Sequence, residues 1–407
     1  MNLYQNTNNN KRYYTLDYFY KTKFKSKVAK ICIDAPFTCP NIDGTKGYGG
    51  CIYCVQNNNQ KSIKDQIEEQ KKIINNKWPN SKYIIYLQSH SNTYSSIEKL
   101  KELYEPLLKI ENVIGLNIAT RADCISDECL DYLEELSKRT FLTIELGLQT
   151  IHEKTSKLIN RCHTLEEFEI TVKKLKKRNI NVVVHIINGL PFETKEMMIE
   201  NIKYLNKLHI DGIKIHMLFI DENAPIKNLK FHILSQEEYV NIVCDQIEEL
   251  SPNIVIHRLT GDGDKKSLIN PLWSLKKVQV LNDIDKCLAK RNTYQGFNKT
   301  IQNKVKQIII ENIKPNDLVI IASWSGAVDR YKDYIVNLEL TGVPIISITN
   351  MSNNELSSIA RYNLYFQNSF KNTDLNITRS SYLTLHLVLH LLYDGFVKFN
   401  NQKIASE

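Results

Sequence analysis

The feature that most constrains the fold is a regular alternation of short β-branched runs with amphipathic stretches between about residues 28 and 220. Apolar positions three and four apart predict helices at 96–108, 127–138, 165–177 and 195–208. The runs between them predict strands at 28–33, 83–87, 114–119, 141–146, 181–187 and 212–218. Six successive β-α units indicate a parallel sheet with helices outside. Because a closed barrel of this kind has eight units, they predict a partial, open TIM-like (β/α)6 barrel.

Three further segments flank this barrel of residues 31–230. Residues 1–30 form a basic, aromatic N-terminal arm. Residues 231–297 form a largely helical C-terminal extension with a strand-like run at 253–257. Periodicity breaks near 291–298 and resumes with three predicted parallel strands, at 318–322, 344–348 and 363–366. We therefore expect a separate, truncated, doubly wound α/β segment over 298–407.

Composition and cysteine positions indicate the cellular compartment of the protein and the kind of site that its cysteines form. No run of about 18 apolar residues is present to cross a bilayer, and the polar N-terminus lacks the apolar region of a signal peptide. These features predict a cytoplasmic protein that does not enter the membrane. Four of the nine cysteines fall between Cys32 and Cys54. In a reducing compartment, this crowding indicates a metal or redox site rather than a set of disulfides.

The N-terminal arm holds most of the net charge of +8, because residues 1–30 contain seven basic side chains and the single acidic residue Asp17. Seven tyrosines and phenylalanines lie among the cations. Such a mixture can contact phosphates and stack on unpaired bases, which makes RNA a candidate partner. The alternative is a solvated leader held on the barrel by its aromatic side chains.

Three cysteines follow the first predicted strand with the spacing C-x11-C-x2-C, namely Cys39, Cys51 and Cys54. Three thiolates gathered by a glycine-rich loop can hold three irons of a 4Fe-4S cluster, with the fourth iron open to an outside ligand. Two rival interpretations remain. A thioredoxin-type pair of Cys51 and Cys54 leaves Cys39 unexplained, and a structural zinc needs a fourth ligand, whereas Cys32 lies inside a strand run.

The cysteine loop, with Tyr53 before its last cysteine, resembles that of the radical S-adenosylmethionine (SAM) superfamily. Motifs at the predicted strand ends extend the resemblance over about residues 10–297 to a bacterial radical SAM family of unknown substrate, whose core is similar to the catalytic subunit of Elongator. The matching motifs are Cys39-Pro-Asn-Ile-Asp-Gly-Thr-Lys-Gly, Gln88 with Asn92-Thr93-Tyr94, Ala119-Thr-Arg-Ala-Asp-Cys124, Glu145-Leu-Gly-Leu-Gln149-Thr150, His257-Arg-Leu-Thr-Gly-Asp262-Gly and Tyr294-Gln-Gly296.

The resemblance implies an enzyme in which SAM chelates the open iron and is cleaved after one-electron reduction, so that a 5′-deoxyadenosyl radical removes hydrogen from a substrate. An external electron donor, flavodoxin- or ferredoxin-like, is implied as a partner. The resemblance assigns the cluster ligands to Cys39, Cys51 and Cys54, and adenine contact to Tyr53. It assigns the other SAM contacts to Gln88, Asn92, Glu145, Gln149, Arg161, His185 and Gly189, with Arg161 expected to clamp the methionine carboxylate. It does not identify a catalytic residue that acts on the substrate.

Several motif residues depart from the patterns of relatives. His185 stands where relatives often have an aspartate that reaches the ribose, and Phe192 stands where they commonly have glycine. The strand histidines His185, His216 and His257 could form a second metal site, but such residues more often satisfy hydrogen bonds within a core or pocket. Arg258 and Asp262 either touch the substrate or close a glycine turn.

The C-terminal segment resembles the second half of a sugar-isomerase (SIS) domain, as found in sugar-phosphate-responsive RpiR-type repressors. The resemblance lies in Asp317–Gly326 and Pro344–Asn350, with Ser323 and Ser325 as candidate phosphate ligands. The first strand of such a domain is missing, so we expect an unpaired edge, possible self-association and no isomerase activity.

Two functions follow from these features. The first is a radical SAM enzyme with tRNA or another RNA as a candidate substrate. The second is a sugar-phosphate-binding regulatory module. The cysteine spacing favours the enzyme, since a sensor has no use for it.

Overall fold

A parallel sheet forms the centre of the first of two compact units, which comprise residues 1–300 and 301–407. The computed structural model describes residues 4–55, 61–261, 263–299, 318–323, 342–350 and 354–366. Seven strands pair in parallel in the order β1-β2-β3-β4-β5-β6-β8. They are β1 (Val28–Ile33), β2 (Lys82–Leu87), β3 (Val113–Thr120), β4 (Phe141–Gln149), β5 (Asn181–Asn188), β6 (Gly212–Met217) and β8 (Val255–Arg258).

The helices that connect these strands begin where the sequence supplies caps. In α6, Thr164 and Glu167 form a capping box, and Ser126 caps α4 by accepting from the Cys129 amide. The helices are α1 (Leu16–Phe24), α2 (Ile63–Lys77), α3 (Ile97–Leu108), α4 (Asp127–Arg139), α5 (Glu153–Leu158), α6 (Leu165–Lys177), α7 (Lys195–Lys207), α8 (Gln236–Glu249) and α9 (Lys277–Arg291). Among the described residues, no helix is long and apolar enough to span a membrane.

The partial barrel is confirmed, but the sheet has one strand more than the (β/α)6 count predicts. The strand-like run near 253–257 forms β8, which pairs in parallel with β6 and extends the same sheet. A short antiparallel pair, β7 (Ile220–Asp221) and β9 (Leu268–Asn270), lies outside it. The extension of residues 231–297 therefore contributes a strand to the barrel, because α8 forms one more crossover of the same kind.

Alternation along the strands separates two faces. One set of buried side chains, such as Ile144, Val184 and Ile213, belongs to the main hydrophobic core together with apolar residues of the helices. The intervening positions face the lumen of the partial barrel, and six of them, one from each of β1 to β6, are polar or aromatic. We call these six residues the lumen network: Lys30, Tyr86, Asn117, Glu145, His185 and Lys214.

The N-terminal arm packs onto the amino ends of the strands. Tyr13 and Tyr20 are buried, and α1 joins a small core with Val28 and Phe141. The arm is also fixed by the backbone, since the Ile256 amide donates to the Tyr14 carbonyl at 2.8 Å. These contacts match the alternative in which aromatic side chains hold the arm on the barrel, and the buried tyrosines are not available to stack on bases.

The second unit is described at three strands and one helix. Strands β10 (Val319–Ser323), β11 (Ile345–Asn350) and β12 (Tyr362–Phe366) pair in parallel in that order, and α10 (Glu355–Ile359) precedes β12. Ser323 and Thr349 are register partners at the carboxyl ends of β10 and β11. The predicted phosphate ligand Ser325 and the predicted substrate residue Asp262 lie outside the described residues.

Candidate functional site

A cavity of about 350 Å³ opens at the carboxyl ends of the barrel strands. Parallel α/β folds place their sites at this end, because loops from several strands converge there. Nine residues assigned from the sequence border it, including all three predicted cluster ligands: Cys39, Cys51, Tyr53, Cys54, Gln88, Glu145, Gln149, Arg161 and His185. The structure thus brings together residues that are far apart in the chain.

The cysteine loop after β1 is held by two asparagines. The amide of the buried Asn41 donates to the carbonyls of Asn160, at 2.6 Å, and Arg161, at 3.2 Å. The Asn160 amide in turn donates to the Gly50 carbonyl at 2.8 Å. Gly50 has φ +78°, which turns the chain so that Cys51 faces the cavity. The cysteine loop and the loop that follows α5 are therefore joined by hydrogen bonds.

Of the thiols in this loop, Cys51 favours the deprotonated form that binds iron. Hydrogen bonding from the Cys54 thiol lowers the pKa of Cys51 to about 6 against the opposing effect of burial, and raises the pKa of Cys54. Among the described residues, no three Cys, His, Asp or Glu side chains converge on one point as ligands of a single metal ion would. A 4Fe-4S cluster needs no such convergence, because each cysteine binds a different iron. Three thiols bordering one cavity fit that group.

Arg121 adds positive charge beside the thiols. Its guanidinium pairs with Asp123 through two hydrogen bonds of 2.9 and 2.8 Å, and donates to the Arg161 carbonyl at 2.8 Å. This charge also contributes to the lowered pKa of Cys51. Lys46, from the cysteine loop, reaches Asp123 at 2.9 Å. The end of β3 is thereby tied to the cysteine loop by charge as well as by packing.

Gln149 ends β4 in an unusual backbone conformation that directs its amide toward the cavity. Its φ is +66°, and the pairing of β4 with β5 is irregular between Gly147 and Gln149. A Cβ atom added to Gly147 would lie only 2.7 Å from the Gln149 Nε2 atom. The Gly-x-Gln pattern therefore has a steric reason, since the amide occupies the space that a side chain at 147 would fill.

We expect Gly147→Ala to weaken SAM binding at least tenfold, because the new methyl group displaces the Gln149 amide. Isothermal titration calorimetry of the reconstituted protein with SAM measures the change. Gln149→Ala should cause a similar loss, and adding Gly147→Ala to it should cost little more, since the two changes remove the same contact. Fully additive losses would contradict this explanation.

Arg161 is buried, and its guanidinium donates mainly to backbone carbonyls. Its Nη1 atom donates to the carbonyls of Leu148 and Thr150, at 2.8 and 2.6 Å, and its Nε and Nη2 atoms donate to the His163 carbonyl at 3.0 and 2.9 Å. Four of its five N–H groups are thus used. The expected bidentate clamp on a carboxylate does not fit this arrangement, although one N–H remains and the side chain borders the cavity.

Two residues assigned from the sequence do not border the cavity. The Asn92 amide donates to the carbonyls of Leu87, Ser89 and Ala119, so it shapes the loop after β2. Gly189 has φ +84° and lies against Leu234, beside a separate apolar pocket. Both are structural in this arrangement, because their contacts are with the protein's own backbone and core.

Glu145, at the floor of the cavity, is the centre of the lumen network. Its Oε1 atom accepts from Lys30 at 3.1 Å and from Asn117 at 2.7 Å, and its Oε2 atom accepts from Lys214 and from His185 at 2.8 Å. Burial alone would raise its pKa, but the charges of Lys214 and Lys30 and the bond from His185 bring it well below its usual value. Glu145 is therefore ionised.

The sequence analysis did not identify several residues that contact the side chains bordering the cavity. Lys30, Asn41, Arg121 and Lys214 were not assigned to the site, yet each contacts a residue that borders the cavity. A signal for Lys214 was present, because a lysine in the middle of an apolar strand run must face a lumen or a partner charge.

Comparison with known proteins defines the class. Residues 46–222 match the Radical SAM superfamily, residues 210–290 match the Radical_SAM C-terminal domain, and residues 301–393 match the SIS domain. Among curated proteins, the uncharacterized protein YtqA of Bacillus subtilis is 43% identical over 301 residues, which cover 71% of this chain and 94% of that protein. The chain belongs to the radical SAM superfamily and is a radical SAM enzyme.

Two further matches have lower sequence identity to this chain. The tRNA-2-methylthio-N(6)-dimethylallyladenosine synthase of Alkaliphilus oremlandii is 25% identical over 219 residues, covering 50% of this chain and 45% of that protein. The solved structure of archaeal Elp3 from Methanocaldococcus infernus superposes with a TM-score of 0.51 at 18% identity, covering 66% of this chain and 64% of that one. The second likeness supports the Elongator-like fold of the barrel.

Proposed function

We propose that this enzyme uses a 4Fe-4S cluster bound by Cys39, Cys51 and Cys54 to cleave SAM reductively and remove a hydrogen atom from a substrate in the barrel. The observation that carries the proposal is that these three thiols border the same cavity as Gln149 and Glu145. When bound by these cysteines, a 4Fe-4S cluster would supply the one electron that cleaves SAM to methionine and a 5′-deoxyadenosyl radical, and a flavodoxin- or ferredoxin-like donor would provide that electron.

The residues of this chain position the reactants and exclude water. Asn41 donates toward the Cys51 sulfur at 3.6 Å, and Arg121 adds positive charge beside the thiols, so both favour the thiolate form. The Gln149 amide and the remaining N–H of Arg161 offer donors to a polar ligand in the cavity. Tyr53 presents an aromatic ring at the same wall. The apolar outer core holds the strands rigid beneath these groups.

Anaerobic reconstitution tests this proposal directly. We expect close to one 4Fe-4S cluster per chain by iron and sulfide analysis. After reduction, we expect 5′-deoxyadenosine and methionine to form in equal amounts, as measured by liquid chromatography and mass spectrometry. A protein that binds the cluster but forms no 5′-deoxyadenosine with any reductant would contradict the proposed reaction.

We further propose tRNA as the substrate class. Support comes from the tRNA-modifying relative and from the cations that the N-terminal arm leaves exposed. Lys21 and Lys27 pair with Asp17, whereas Lys23 and Lys25 are exposed and Lys23 lies over the Phe141 ring. These cations lie beside the amino ends of the strands, opposite the cavity, so they offer contacts to the phosphate backbone of a large RNA rather than to its reacting nucleotide.

If tRNA contacts this arm, we expect Lys23→Gln with Lys25→Gln to weaken tRNA binding and to reduce the slope of log affinity against log salt by roughly one unit per lost phosphate contact. Filter binding of bulk tRNA at several salt concentrations measures this slope. The matched control is Lys138→Gln with Lys157→Gln, which removes two exposed lysines from α4 and α5. Equal effects of the two double variants would contradict a specific role for the arm.

A further inference from the structure

The lumen network holds two lysines but only one carboxylate. Lys30 and Lys214 both donate to Glu145, and in the described part of the chain no other carboxylate pairs with either lysine. The side chain of Lys214 is 5% exposed, and its Nζ atom lies 4.1 Å from the centre of the Tyr86 ring. Arg258, from β8, also acts electrostatically on Lys214. One carboxylate therefore pairs with two lysines, of which Lys214 is buried and Lys30 is partly buried.

Two histidines beside the network have polar atoms without partners. The Nε2 atom of His216 and the Nδ1 atom of His257 are buried and make no hydrogen bond. The His216 ring lies 5.2 Å from that of His185, which donates to Glu145. Burial lowers the pKa of both histidines, so they are neutral, and in one tautomer the unpartnered nitrogen of each carries the N–H. Unused buried polar atoms indicate a missing partner.

The network is continuous with the cavity. Glu145 and His185 belong to the network and also border the cavity that the cysteine loop closes from above. A molecule that enters past the cysteine loop therefore reaches Glu145 and His185. Lys30 and Lys214 lie directly behind them, since both donate to Glu145.

From this arrangement we propose that the substrate has an anionic group, a carboxylate or a phosphate, which binds in the lumen between Lys214, Lys30 and His216. The proposal rests on the proposed function and adds a substrate property to it. An anion balances the second lysine and provides acceptors for the unused N–H groups. A purely structural ion pair would need one lysine for one carboxylate and would leave no imidazole without a partner.

The protonation of Lys214 gives the proposal a distinctive signature. Burial lowers its pKa to about 7, helped by the charges of Lys30 and Arg258 and opposed by Glu145. The other titratable groups that face it are Cys32, Tyr86, His185, His216 and His257. A bound anion stabilises the ammonium form, so binding near pH 7.5 should take up protons. Affinity should fall as pH rises from 7 to 9.

The test uses full-length reconstituted protein and two probes, sodium acetate and sodium phosphate, against sodium chloride at equal ionic strength. We expect one of the two probes to raise the melting temperature saturably. Acetate as the better probe indicates a carboxylate, and phosphate as the better probe indicates a phosphate. Lys214→Met should weaken the effect at least tenfold, Lys214→Arg should retain most of it, and Lys138→Met, on exposed α4, should leave it unchanged.

Calorimetry in buffers of different ionisation enthalpy completes the test on the wild-type protein. Net proton uptake on binding supports the proposal even if Lys214→Met does not fold. Stabilisation no greater than that of chloride, or an equal effect in Lys214→Met, would overturn it. Neither measurement needs reductant or SAM, so failure here is distinguishable from failure of SAM cleavage.

Discussion

Replacing Cys39, Cys51 or Cys54 by alanine will abolish both the 4Fe-4S absorbance and the formation of 5′-deoxyadenosine. Each thiolate is expected to bind one iron, and a cluster held by two protein ligands is exposed to loss in solution. We expect less than a tenth of the wild-type iron content and no detectable SAM cleavage. Iron analysis, visible absorbance and product chromatography after anaerobic reconstitution measure the three quantities.

The same chain provides sharp controls for this prediction. Cys162 is exposed, and its sulfur lies close to the cysteine loop, 3.1 Å from where a Cβ atom on Gly47 would be. Cys244 and Cys287 lie in the helical extension, where Cys244 is buried. Alanine at any of these three positions should leave the cluster and its activity intact. A cluster that survives loss of Cys51, or that is lost with Cys162, would refute the ligand assignment.

Glu145→Gln should lower the free energy of unfolding by roughly 3–5 kcal/mol, because it leaves the buried Lys214 and the partly buried Lys30 without a counter-charge. Glutamine keeps the size of the side chain and one carbonyl acceptor, so the change removes mainly charge. Urea denaturation at pH 7 measures the difference. Glu134→Gln, which disrupts an exposed pair with Lys138, should change stability by less than about 1 kcal/mol.

The pH dependence of this loss follows from the direction of the Glu145 pKa. The folded protein holds the pKa well below the ordinary value of 4.5, so the unfolded chain binds the proton first as pH falls. The stability from Glu145 is present above pH 4.5 and is lost as pH falls through the folded pKa. Wild type and Glu145→Gln should therefore converge in stability in acid.

A second substitution distinguishes charge from packing as the cause. Adding Lys214→Met to Glu145→Gln removes one of the two uncompensated lysines, so the double variant should recover part of the loss, with a coupling of about 1–3 kcal/mol. Strictly additive losses would show that Glu145 acts through packing alone.

The sequence predicts the barrel well because its signals are local. Apolar runs and helical periodicity lie within each segment, and the caps at Ser126 and Thr164 are set by neighbouring residues. The seventh strand was harder to assign, because β8 has only four residues and its parallel pairing depends on β6, about forty residues earlier. The position of α1 is likewise set by a distant contact, with Phe141.

In the candidate site, too, residues that lie in local motifs were predicted, whereas contacts between distant segments were not. Cys39, Cys51, Gln149 and Glu145 were found through motifs and border the cavity. Sequence does not show what a guanidinium contacts, so Arg161 was assigned a carboxylate although backbone carbonyls take four of its N–H groups. Lys214 was missed because its importance comes from Glu145 and Tyr86, which lie on other strands.

The loop at residues 160–163 contacts both the proposed cluster ligands' loop and the strand end that carries the proposed SAM contacts. Asn41, from the cysteine loop, and Arg121 donate to carbonyls of this loop, and Arg161 donates to the Leu148 carbonyl near the end of β4. Any ligand that orders one of these two segments lowers the entropy cost of ordering the other, and linkage requires the benefit to be mutual. Loading with iron should therefore act as a conformational effector for SAM, and SAM should protect a partly assembled metal site.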